Sequence, residues 1–172
     1  MTFQPFLIIV MVFAPMAVEA YRARSNETAQ RARGGIEPRD DVYSIMRIAY
    51  PGAFLAMIVE GLTRNGSPPF LFASGIVVFV LAKALKWWAI LTLGRAWTFR
   101  VIVVPGDSLV AAGPYRRLRH PNYVAVVGEL AGAALMTGAA IAGAVGTVLF
   151  AFLLRKRIQV EERALRHRYH RV

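Results

Sequence analysis

The sequence predicts an all-α, polytopic membrane protein with five transmembrane helices, and three observations lead there. Hydrophobic residues make up 56% of the 172, with a mean hydropathy of +0.46. Charged residues make up 18%, below the roughly one quarter usual in soluble domains. The basic residues lie between the apolar runs, where the positive-inside rule places them. They do not gather on one soluble face with interleaved aromatics, so the net charge of +11 reflects topology and no nucleic-acid partner is expected. The absence of cysteine excludes disulfides, thiolate metal sites and cysteine nucleophiles. No metal site is expected.

The first apolar run, Phe6 to Val18, ends in Val18-Glu19-Ala20, small residues where a signal peptidase could cut. No Lys or Arg precedes the run, and Arg22 and Arg24 follow it. That charge order favours a retained helix with its N-terminus outside. The polar stretch SNETAQRARGGIEPRDDVYS, with Gly34, Gly35 and Pro38, reads as a cytosolic connection containing short helical pieces. A second run, Ile48 to Leu62, leads through the turn Arg64 to Pro69 into a third, Phe70 to Leu93, which has the roughly 20 residues a bilayer needs. Lys83 and Lys86, in its later half, are expected to snorkel to the cytosol, with Trp87 and Trp88 in the interfacial belt. Glu60 is expected to reach the outer interface.

The apolar stretch Tyr123 to Leu154 fits either one helix of about 48 Å or a hairpin broken near Thr137 and Gly138. Charge decides for the hairpin. A single crossing would put Arg155, Lys156, Arg157, Arg163, Arg166, Arg168 and Arg171 opposite the basic loop Gly94 to His120, whereas a hairpin returns them to the cytosol. The GxxxG at Gly128 and Gly132, with Ala139, Ala142, Gly143 and Gly146, allows close backbone approach. Five helices follow, N-terminus out and C-terminus in. The two hairpin arms are short, so tilt or local thinning of the bilayer is expected.

The hairpin brings RRLRHPNY at its start to face RIQVEERAL at its end. Pro121 suits a first helical turn, whose free N–H groups attract anions, and Arg119, His120 and Tyr123 surround that turn. Arg116 and Arg117 read as ordinary cytosolic anchors. Arg157 with Glu161, and Glu162 with Arg166, have the spacing of solvated helix pairs. Facing the other cluster, these acids become candidates to bind amines, ribose hydroxyls or a cation. Glu129 lies seven residues beyond Asn122, on nearly the same helical face and about 10 Å deeper. An acid inside an apolar helix is either functional or paired, here with Lys83 or Arg100 as partners.

The segment GPYRRLRHPNY, followed by an apolar hairpin and RIQVEERAL, resembles the isoprenylcysteine carboxyl methyltransferase family of membrane enzymes. Trp87 to Tyr115 also resembles the family's approach to that motif. The resemblance implies S-adenosylmethionine at the cytosolic end of the last helices, with Gly113, Tyr115, His120, Pro121, Tyr123, Glu161 and Glu162 matching the cofactor-binding pattern. The residues agree with it: a cofactor carboxylate suits the helix start and Arg119, and an amine and ribose suit Glu161 or Glu162. No Gly-rich Rossmann fingerprint is present. The chain, 1–172, is then one methyltransferase domain, with three N-terminal helices in 1–93 and a cofactor-binding core in 94–172.

Methyl transfer from a sulfonium is an in-line displacement in which positioning supplies much of the rate. A carboxylate acceptor needs no general base. A phenolic or enolic hydroxyl does, with His120 or Glu129 as candidates and Arg157 or Arg119 to steady the anion. The resemblance implies a lipophilic acceptor, a prenylated cysteine in the family's named activity; NYVAVVGEL and EAYRARSNETAQRARGGIEP look more like the compact bacterial members, some of which resemble O-methyltransferases of long-chain polyketides such as alkylpyrones. The expected site faces the cytosol from a bacterial inner membrane. Two rival readings are an NADPH-dependent membrane reductase of related core and a non-catalytic membrane scaffold.

Overall fold

The computed structural model describes residues 4–169, so Arg171 of the basic C-terminus lies outside the described residues. Five helices follow one another: α1 (Gln4–Ala32), α2 (Tyr43–Thr63), α3 (Pro69–Leu93), α4 (Pro121–Thr137) and α5 (Ala140–Tyr169). No β-strand occurs among the described residues beyond an isolated antiparallel bridge between Ile36 and Val103. α1, α2 and α3 are each long and apolar enough to cross a membrane. α4, with 17 residues, rises only about 26 Å, and α5 turns from apolar to basic at Arg155.

The boundaries have local causes. Pro69 and Pro121 open α3 and α4, where a missing N–H removes nothing from the helix. α4 stops because Gly138 adopts the left-handed conformation, with φ +68°, the usual glycine signal for a helix end. A side chain there would also press on the Gly66 carbonyl, 2.9 Å from a Cβ position. The α2–α3 and α4–α5 turns therefore touch at one end of the bundle. Glu60 completes this end by accepting the Ile141 and Ala142 N–H groups at 3.1 and 2.5 Å, supplying acceptors that the first turn of α5 lacks. Its expected place at the interface becomes a capping role.

The GxxxG finds its partner in α3. A Cβ on Gly132 would lie 2.7 Å from the Phe79 nitrogen, and one on Gly75 would lie 2.6 Å from the Met136 nitrogen. Only glycine lets the two backbones meet at that distance. Gly143 faces Ala134 across the hairpin. Phe54, Met57, Phe79, Leu130, Met136 and Phe150 fill the main core, while Val59, Leu81, Val148 and Phe152 are exposed.

Two expectations are corrected. The polar segment after Arg24 continues α1 as helix to Ala32. Its polarity is used internally: Asn26 donates to the carbonyls of Gly94 and Trp97 at 3.1 and 2.7 Å, and Gln30 donates to that of Arg95 at 2.8 Å. These bonds satisfy acceptors where α3 ends. Lys83 and Lys86 do not snorkel. They turn inward with side chains 12% and 3% exposed, each paired with both Glu19 and Glu129, because a cation can stay inside an apolar bundle when acids neutralise it there. Arg100, the other partner considered for Glu129, pairs with Glu37 and Glu27.

Candidate functional site

The start of α4 and the basic end of α5 lie side by side, so residues about forty apart in sequence make direct bonds. The Tyr123 hydroxyl donates to Glu161 at 2.6 Å. His120 presents Nε2 to Glu162 at 3.3 Å and Nδ1 to Glu161 at 3.9 Å, and its ring stacks on Tyr123 with centroids 5.4 Å apart. Arg157, 5% exposed, donates Nε–H to the Tyr123 hydroxyl at 3.3 Å. Its other side pairs with Asp41 at 2.5 Å.

Asp41 was not among the sequence candidates and is the residue that ties the site to the rest of the protein. It accepts the Val101 N–H at 2.8 Å and the Tyr43 N–H at 3.1 Å besides Arg157. The α1–α2 connection, the loop before α4 and α5 thus converge on one carboxylate. In the sequence it stands beside Asp40, which makes an exposed pair with Arg163, and nothing local distinguishes the two acids.

The 3-10 turn Gly113–Arg116 completes the surroundings. Tyr115 lies near Glu161; burial, reinforced by that charge, pushes its phenol well above the ordinary value. Gly113 has φ +52°, and a Cβ there would meet the Thr92 hydroxyl at 2.5 Å and the Trp88 Nε1 at 3.1 Å. Its lack of a side chain therefore lets the turn dock on α3. Pro121 is buried, and Arg119 is exposed with no ion pair among the described residues. The first turn of α4 offers fewer donors than expected. Tyr123 and Val124 give their N–H groups to the His120 carbonyl at 3.1 and 3.3 Å, and proline has none, which leaves that of Asn122. The Asn122 Oδ1 is buried and has no donor.

Glu129 stands apart from this group. It is 1% exposed and belongs to a cluster linking four helices, with Glu19 from α1, Tyr50 from α2, and Lys83 and Lys86 from α3. Its oxygens lie 3.1 Å from Lys83 and 3.3 Å from Lys86, and it accepts the Tyr50 hydroxyl. Glu19 lies 2.8 and 2.7 Å from the same lysines. Glu19, at the end of the first apolar run and inside a cleavage-like Val-Glu-Ala, carries no sign in the sequence of its place beside Glu129.

Comparison with known proteins fits this arrangement. The model of the isoprenylcysteine carboxyl methyltransferase family matches residues 75–167, just over half of the chain and all of the site except Asp41. An uncharacterized protein of Bacillus subtilis, YpbQ, is 31% identical over 160 residues, covering 93% of this chain and 95% of that protein. An uncharacterized protein of Haemophilus influenzae is 27% identical over 143 residues, 83% of each chain. No solved structure matches. With its apolar helices, its paired motifs and a relative alike over nearly its whole length, the chain belongs to the isoprenylcysteine carboxyl methyltransferase family of membrane methyltransferases.

Proposed function

We propose that the protein transfers a methyl group from S-adenosylmethionine to an oxygen of a lipophilic acceptor, at a site facing the cytosol from a bacterial inner membrane. The observation that carries this reading is the meeting of His120 and Tyr123 with Glu161 and Glu162 across the hairpin. Five membrane crossings with the N-terminus outside agree with it, because the two short turns share one end of the bundle and the basic segments share the other. The relatives are bacterial, in keeping with a bacterial membrane.

The donor set fits the cofactor. Glu161 and Glu162 are half-buried carboxylates suited to an ammonium or ribose hydroxyls, and Arg119, with no ion pair among the described residues, suits a carboxylate. The Asn122 Oδ1, buried without a donor, is an acceptor left for a ligand N–H or O–H, since such atoms are rarely orphaned. The bound cofactor supplies an electrophilic methyl on a sulfonium. Tyr123 is held by Glu161 on one side and Arg157 on the other, so it forms a fixed wall beside which the acceptor oxygen can be aligned. Arg157 brings positive charge next to that oxygen while Asp41 holds the guanidinium in place.

For a hydroxyl acceptor, His120 is the favoured base. It stands among the proposed cofactor residues, whereas Glu129 is enclosed with two lysines that already balance its charge. Purified protein given methyl-labelled S-adenosylmethionine with long-chain carboxylic acids, prenylated cysteine or hydroxyl-bearing polyketides should label one of these classes, identified by mass. Hydride transfer from NADPH to a lipid, with no methyl label in any class, would replace this reading by a reductase.

A further inference from the structure

A groove of about 730 Å³ runs between α3 and the Gly113–Arg116 turn, lined by Leu85, Trp88, Gly113, Pro114 and Leu118 with Arg116 and Arg117; of the candidate cofactor residues it shares Gly113 alone. We propose that this groove binds an acidic phospholipid of the surrounding bilayer, its phosphate against Arg116 and Arg117 and an acyl chain along Leu85, Trp88 and Leu118.

Charge complementarity selects this occupant. Arg116 and Arg117 are exposed and, like Arg119 beside them, have no acidic partner among the described residues, but these two also line the apolar groove. Two adjacent guanidiniums next to an apolar trough match the headgroup and acyl chain of an anionic lipid and favour it over a zwitterionic one, whose phosphate is offset by its own cation, and over a neutral one, which offers no anion. The walls are already in place, since Gly113 seats the turn against Trp88 and Thr92. Trp88, 55% exposed, stands five residues before the end of α3, at the level where tryptophans line the membrane interface. On the far side of the same turn Tyr115 neighbours Glu161, so the lipid would form part of the outer wall of the candidate site. The proposal does not depend on methyl transfer.

Trp88 is a built-in reporter. Protein reconstituted in phosphatidylcholine vesicles is titrated with brominated-chain phosphatidylglycerol or brominated-chain phosphatidylcholine, and the Trp88 emission is taken as wild type minus Trp88→Phe. Each arginine near an acidic headgroup is worth a factor of about five, roughly 30-fold together. Phosphatidylglycerol should therefore quench Trp88 at correspondingly lower mole fraction. Arg116→Gln/Arg117→Gln should make the two curves coincide, and Arg116→Lys/Arg117→Lys should keep most of the preference. Native mass spectrometry of the detergent-washed protein should show retained phosphatidylglycerol lost in the glutamine variant alone. Equal quenching by both lipids in wild type, or a preference that survives the glutamine substitutions, would overturn the proposal. So would equally strong quenching by a brominated long-chain alcohol, which would make the groove a general apolar passage.

Discussion

Arg157 and Glu129 are both buried and both paired, yet they invite different tests. Arg157 has a single acidic partner at close range, Asp41. Asp41→Asn leaves a buried guanidinium without its counter-charge, a change that costs about 3–5 kcal/mol; thermal unfolding should show it, with cofactor affinity falling as Tyr123 loses its fixed neighbour. Glu129 shares two lysines with Glu19, so Glu129→Gln should lower stability while leaving the pH–rate profile of a hydroxyl acceptor unchanged. His120→Gln should cut that rate by roughly 100-fold or more and flatten the profile at saturating cofactor. The reverse pattern would return the base to Glu129. His120, Tyr123, Glu161 and Glu162 are legible in the sequence because the charge rule forces the hairpin that unites them. Asp41 is not, since its partner lies 116 positions away and nothing near it in the chain marks the contact.

At the scale of elements, apolar length and proline and glycine punctuation are enough to read α2 and α3, and the charge rule is needed to choose the break near Thr137 and Gly138. The continuation of α1 to Ala32 is hidden because Asn26 and Gln30 look like solvated residues until the loop after α3 supplies their carbonyl partners. Asn26→Ala should cost about 1–3 kcal/mol by leaving the buried Trp97 carbonyl unsatisfied, read as a lower unfolding temperature. The α3–α4 contact is less forgiving. Gly132→Leu puts a side chain where the Phe79 backbone stands, so the helices must separate, and the variant should fail to give folded protein in detergent, whereas Gly52→Ala, with open space around it, should not.

The whole molecule is organised around two ends. Short turns capped by Glu60 form one, and a terminus of each of the five helices, with the proposed site, forms the other. Cysteines placed at Arg64 and Ala140, in a chain with none of its own, should label from outside the cell, and one at Arg166 should label only after lysis; external labelling at Arg166 would place the site on the wrong face. The central claim is that the two motifs joined by the hairpin form one S-adenosylmethionine site, and its most direct test is calorimetric titration of the cofactor into wild type, His120→Ala, Tyr123→Ala and Glu162→Ala proteins. Wild type should bind, and each folded variant should lose about 1.5–3 kcal/mol, the worth of a hydrogen bond to a charged group. Unchanged affinity in all three variants would contradict the account.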